Sequence, residues 1–198
     1  MGMSGKEYAD LVASYVLKNF GPRGLSVYRE VSMGKTIIGK NRHVDVLILH
    51  EQSSGVLAIE CKYQDTLGTV DEKIPYAIND MQAMGVPVCL AYAGAGFSAG
   101  ILHMLAACPI AALCLPSPAL EPSRETRELD IAVAMAFRFW DLVVMHKKPF
   151  SLAEPASVQV TRSGAVAAGV APLHGSQSDT LSAGPLFATS REPESAGD

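Results

Sequence analysis

Two apolar runs, His43-Val-Asp-Val-Leu-Ile-Leu-His50 and Val56-Leu-Ala-Ile-Glu-Cys-Lys-Tyr63, are separated only by Glu51-Gln-Ser-Ser-Gly55. Strand-type composition on both sides of a short polar turn predicts a β-hairpin. A turn centred near Gln52-Ser53 pairs residues whose numbers sum to about 105, which sets Asp45 opposite Glu60. Strand side chains alternate between faces, so Glu60 and Lys62 share one. Directly opposed residues also share a face, which adds Asp45. Two carboxylates and an ammonium on one patch of sheet form a place to hold a divalent metal beside a phosphate.

The spacing of acid and lysine is weak by itself, since Asp71-Glu72-Lys73 repeats it in a polar stretch. The context of Glu60 is what discriminates. It follows Val-Leu-Ala-Ile, a buried-strand composition, where an unpaired charge costs several kcal/mol (order of magnitude). The alternative is a strand end at which an acid does no more than pair with Lys62.

Neighbouring segments supply an order of elements. Apolar positions Tyr8, Leu11, Val12, Tyr15, Val16 and Phe20 predict an amphipathic helix over 5–20, with Ser4 as N-cap and Gly21-Pro22 as its stop. Leu25–Val31 reads as a first strand, and Met33–Arg42 as a glycine-punctuated connection that extends the strands. A helix is predicted over 68–84, with Pro75 in its first turn or at the start of its regular part. A strand at 86–92, a loop at 94–100, a short helix at 101–107 and a strand at 110–115 complete the pattern α-β-β-β-α-β, then α-β.

With this order the chain resembles the PD-(D/E)xK nuclease superfamily, the restriction-endonuclease-like fold. The resemblance covers residues 4 to 115 and implies an α/β domain with an αβββαβ core, its central mixed sheet flanked by helices. Asp45 takes the acidic position of the second strand, and Glu60-Cys61-Lys62 the (D/E)-x-K of the third. Gln64 is similar to the glutamine that some members carry two residues after the lysine. Glu7 falls on the first helix, where many members have a further acid. Val44 stands where the family name has proline. The resemblance implies a metal-dependent nuclease acting on DNA, an endonuclease, with Mg2+ as cofactor and Mn2+ as a substitute. Asp45, Glu60 and the backbone carbonyl of Cys61 would be the ligands, with Glu7 a further candidate. Magnesium takes hard oxygen donors and keeps several waters, which suits that set. Lys62 would orient the attacking water or offset charge on the phosphate, and Gln64 would touch the phosphate or the water. Glu7 is also readable as a first-turn acid favoured by the helix dipole, and Gln64 as a solvated strand end.

Other chemistries find less support. Gly94-Ala-Gly-Phe-Ser-Ala-Gly100 lacks the Lys-Ser/Thr of a P-loop, and its third glycine falls one position late for Gly-x-Gly-x-x-Gly. His43, His50 and His103 form no ligand-spaced cluster, which argues against zinc. Ser54 and Ser98 have no His/Asp pattern beside them. Cys61, Cys89, Cys108 and Cys114 lie in or next to apolar segments with no Cys-x-x-Cys pair, as expected of reduced thiols in a cytoplasmic protein. No apolar run at the start reads as a signal peptide, and none elsewhere is long enough to span a bilayer.

A net charge of −4 sits awkwardly with a DNA partner. The distribution softens this, because Lys35, Lys40 and Arg42 cluster just before the motif strand, where a loop could track a phosphate backbone. Solvated turn lysines are the competing reading. Towards the C-terminus, Leu129, Val133, Ala136, Phe137, Trp140 and Val144 predict one helix over 125–145, which packs on the sheet through its aromatics or forms a dimer seam. Residues 1–150 are thus expected to form the nuclease-like domain. The Ala/Gly/Ser/Pro-rich stretch 153–198 is expected to be a disordered tail. A homodimer would follow if both strands of a duplex are cut with one site per chain. Two rivals stand beside the enzyme: a non-catalytic DNA- or protein-binding module of the same fold, and an interaction protein working through the Trp140 helix.

Overall fold

The computed structural model describes residues 2–66 and 70–151. The expected tail from 153 onward lies outside the described residues.

The chain opens with helix α1 (Gly5–Phe20), whose start is set by a capping box. Ser4 Oγ accepts from the Glu7 N–H, and the Glu7 carboxylate accepts from the Ser4 N–H at 2.7 Å. A 3-10 turn (Gly21–Arg23) containing Pro22 ends the helix, and Gly24 at φ +86° turns the chain into strand β1 (Leu25–Lys35). The connection expected after Val31 therefore continues the strand to Lys35, and β2 (Asn41–His50) starts two residues before the motif run. Strand β3 (Gly55–Tyr63), helix α2 (Val70–Gln82), strand β4 (Val88–Ala93), helix α3 (Ala99–Ala107) and strand β5 (Ala111–Leu113) follow in the predicted order. Pro75 lies well inside α2 rather than in its first turn.

One mixed sheet has the order β1-β2-β3-β4-β5. The first three strands are antiparallel, and β3, β4 and β5 are parallel. The β2–β3 register, with Val46 opposite Ile59 and His50 opposite Gly55, carries the sum of 105 read from the turn.

Each face of the sheet has its own core. Tyr8, Val12, Tyr15 and Val16 of α1 meet Val46, Ile48, Ile59 and Cys61 on one face, together with Leu129, Val133 and Phe137. On the other face, Ile74 and Ala77 of α2 pack with Leu90, Tyr92 and Leu105, while Met81 packs with Val44, Leu47 and Ala58. Burying aliphatic side chains at about 1.5–3 kcal/mol each is what holds the layers together.

The long C-terminal helix expected over 125–145 is two helices, α4 (Arg127–Phe137) and α5 (Trp140–Val144). Arg138 adopts a left-handed conformation, φ +61°, and ends the first. The break decides which aromatic goes inside. Phe139 stacks on Phe137 with ring centroids 6.1 Å apart and lies under the Arg23 guanidinium. Trp140, expected to anchor on the sheet, is left 51% exposed.

Candidate active site

A regular hairpin would project Asp45 onto the α2 face beside Glu60. The observed route is different. Val27 and Val46 belong to the α1-side core, yet Val31 and Val44, at the same parity along their strands, belong to the α2-side core. Both strands therefore change phase between these positions. The β1–β2 ladder pairs Arg29 with Val46 and Val31 with Val44, and omits Glu30 and Asp45 between them. Glu30 takes a left-handed φ of +51°, a conformation costly for a residue with a Cβ.

The β2–β3 ladder likewise ends at Val46–Ile59, one residue short of Asp45 and Glu60. The Asp45 carboxylate takes over there, accepting from the Cys61 N–H at 2.8 Å. Arg29 fixes the same residue from behind. Its guanidinium donates to the Asp45 carbonyl and to Asp10 of α1, the latter at 2.8 Å. Asp45 is thereby held at the point where β2 and β3 part.

Glu60 and Lys62 project onto the α2 face, as the alternation requires, and pair at 2.5 Å with side chains about four-fifths buried. Burial pushes the Glu60 carboxyl above its ordinary pKa; Lys62 opposes that shift and the Asp45 charge reinforces it. The Asp45 charge is thus near enough to bear on Glu60, whose direct partner is the Lys62 ammonium. Among the described residues, no three His, Cys, Asp or Glu side chains form a cluster able to hold a metal ion. The oxygen chemistry nevertheless fits magnesium, which is commonly bound through one or two carboxylates, with waters and substrate phosphate completing its shell.

The other candidates have different surroundings. Glu7 is exposed and engaged in the capping box, which holds its carboxyl below the usual range; the acid of α1 tied to the Asp45 region is Asp10, through Arg29. Gln64, with the expected role at the phosphate or the water, is buried. Its amide nitrogen donates to the Gly96 carbonyl at 2.6 Å and to Asp71 at 3.1 Å. Asp71 in turn accepts from the Ser98 N–H, so this pair fastens the end of β3 to the start of α2 and to the 94–98 loop. Gly94 and Gly96 permit that approach, since a Cβ on either would lie 2.1–2.5 Å from the backbone of Gln64 or Thr66.

Lys35 donates to Asn41 on the exposed hairpin tip, and Lys40 is exposed beside it. Arg42, expected to face phosphates with them, is instead taken up by Asp80 of α2. Its Nε and Nη2 bond the carboxylate at 2.9 and 2.8 Å, and Asp80 also accepts from the Ile37 N–H at 2.7 Å. A bidentate pair about 90% buried is a structural clasp between the hairpin and α2. Asp80, on a helix whose pattern gave it no special weight, was not foreseeable without the fold.

This clasp closes one end of a cleft of about 390 Å³ that is lined by Glu60 and Lys62. Sheet order, helix layers and the acid-acid-lysine placement define a restriction-endonuclease-like domain. A family model described as a PD-(D/E)XK nuclease superfamily domain matches residues 4–140, and the chain belongs to that superfamily.

Two solved structures match over part of the chain. One is a type III CRISPR defence DNA nuclease activated by cyclic oligoadenylate, with 16% identity and a TM-score of 0.38 over 66% of this chain. The other is a repair endonuclease from Pyrococcus abyssi, with 17% identity and a TM-score of 0.30 over 53%. The chain spans 20% of the length of the first and 45% of the second. No curated protein matches significantly. Among the described residues no helix is long and apolar enough to cross a membrane.

Proposed function

We propose that this domain is a metal-dependent nuclease that hydrolyses phosphodiester bonds of DNA, acting as an endonuclease. The observation that carries the reading is the convergence at the β2–β3 fork. Asp45 is bound to the Cys61 N–H there, and Glu60 is paired with Lys62 on the cleft wall. Asp45, Glu60 and the Cys61 carbonyl are the residues that would hold Mg2+, or Mn2+ in its place. When bound, such a cation supplies Lewis acidity toward the phosphate and lowers the pKa of coordinated water.

The chain's own groups do the rest. Lys62 Nζ orients the attacking water and offsets negative charge developing on the phosphate, which a positioned cation stabilises more than the ground state. Burial of Glu60 keeps the surroundings of that charge poor in water, which strengthens every such interaction. Arg29, through its bond to the Asp45 carbonyl, holds the first acid in register. Cutting both strands of a duplex with one site per chain would call for a homodimer.

The test is conversion of supercoiled plasmid to nicked and linear forms with magnesium, with manganese and with chelator. Linear duplex and single-stranded DNA run alongside, so that end-dependent cleavage is seen. Metal-dependent cleavage that falls about 10²–10³-fold in Lys62→Ala is the expected result. Equal activity in both proteins would assign the cleavage to a contaminant. No cleavage of any substrate by pure folded protein would favour the non-catalytic binding module.

A further inference from the structure

The cleft beside Glu60 and Lys62 has more in it than the reaction needs. Its far wall is α2, which contributes Lys73 and Tyr76, and its rim is the hairpin, which contributes His43. The charges in it are not evenly matched. Arg42 is answered by Asp80 and Lys62 by Glu60, but Lys73 forms no ion pair among the described residues. Tyr76 is 37% exposed in the cleft wall, and its hydroxyl has no hydrogen-bond partner among the described residues. An ammonium without an ion pair among the described residues and a partly exposed aromatic ring, one turn apart on the same helix, are the two parts of a nucleotide contact.

The size of the cleft restricts what can use them. A space of about 390 Å³ falls at the lower end of small-molecule sites, roughly 300–1,000 Å³. It accommodates one base with its sugar, and a stacked base pair does not enter it. A nucleotide reaches a wall of this kind from a single strand, or after leaving the duplex stack.

We propose that the cleft takes one unpaired nucleotide, with Tyr76 stacking on its base and Lys73 contacting a phosphate next to the one bound at Glu60 and Lys62. The preferred substrate is then single-stranded DNA or a frayed duplex end rather than intact duplex. This deepens the nuclease reading and rests on it for the position of the scissile phosphate.

Equilibrium binding separates the two. A labelled deoxyoligonucleotide and its blunt duplex are titrated with the full chain by fluorescence anisotropy, with calcium so that cleavage does not intervene. The single strand should bind at least tenfold more tightly than the duplex. Tyr76→Ala should weaken single-strand binding about tenfold, and Tyr76→Phe, which keeps the ring, should stay within about twofold. Lys73→Gln should lower the slope of log affinity against log salt by about 0.7, the loss of one phosphate contact on a single strand. Equal binding of both forms, with Tyr76→Ala unchanged, would overturn the inference even if plasmid is cleaved. Tyr76-dependent single-strand binding by a protein that cuts nothing would uphold it, while the hydrolytic reading failed.

Discussion

Replacing Asp80 with alanine should destabilise the domain by about 3 kcal/mol. The carboxylate accepts from Arg42 Nε, Arg42 Nη2 and the Ile37 N–H, and both charged side chains are about 90% buried. Alanine leaves the guanidinium without its counter-charge and an amide without its acceptor. Losing one partner of a buried pair costs about 3–5 kcal/mol. The lower end applies here, because this pair lies close to the surface. For a domain of this size 1 kcal/mol corresponds to about 2–4 °C, so Tm should fall by about 6–12 °C in a thermal scan at neutral pH. Arg42→Met with Asp80→Leu should recover most of the loss, since an apolar pair of similar volume leaves no buried charge.

The pH dependence has a definite sign. The Arg42 hydrogen bonds, followed by that from Ile37, hold the Asp80 carboxyl below its ordinary value of 3.8. A depressed folded-state pKa means that the stabilisation is complete above the unfolded value and is lost as pH falls through the folded one. The gap between wild type and Asp80→Ala should therefore narrow below about pH 4. A loss under about 1 kcal/mol at pH 7, or a gap that widens in acid, would refute the clasp as a stabilising pair.

Three other substitutions test the framework around the site. Glu30→Gly should raise stability by about 0.5–1 kcal/mol in urea unfolding, because it removes left-handed strain of about 1–2 kcal/mol at some cost in chain entropy; a net loss would mean that the Glu30 side chain is itself holding the phase change. Gly94→Ala should prevent folding or lower Tm severely, since its φ is +110° and its Cβ would lie 2.1 Å from the Gln64 carbonyl oxygen. A soluble variant with wild-type circular dichroism and Tm would show that the loop does not clamp β3. Gln64→Ala should cost about 1–2 kcal/mol through its lost bonds to Gly96 and Asp71; reduced cleavage with an unchanged Tm would instead restore the glutamine to a role at the phosphate.

Much of the core could be read directly. The register of β2 on β3 followed from the length of one polar turn, because a hairpin's loop sets its pairing. Ser4 as N-cap announced the start of α1, while the answering bond from Glu7 came into view only with the structure. What escaped depends on contacts between distant positions. Arg42 and Asp80 are 38 residues apart, and nothing near Arg42 in the chain announces a buried partner. The change of phase at Glu30 and Asp45 is silent, because valines recur at even spacing across it, at 27 and 31 and at 44 and 46. Arg138 ends α4 with no glycine or asparagine to signal it, so the helical pattern ran on through Trp140. Gln64 continues the alternation of Glu60 and Lys62 in the sequence, but β3 ends at Tyr63 and the next residue is free to turn inward.

The dislocation at Glu30 and Asp45 divides the long hairpin into two arms of opposite phase. The inner arm, 25–29 with 46–50, turns Val27, Val46 and Ile48 to the α1 side and Leu47 and Leu49 to the α2 side. The outer arm, 31–44, answers to α2 and projects past the cleft. Asp45 sits at the joint, tied inward by Arg29 and sideways by Cys61. The outer arm can therefore be lengthened, shortened at its tip or exchanged as a cassette while the acid stays where it is. A nuclease built this way can change what it embraces without rebuilding what it does.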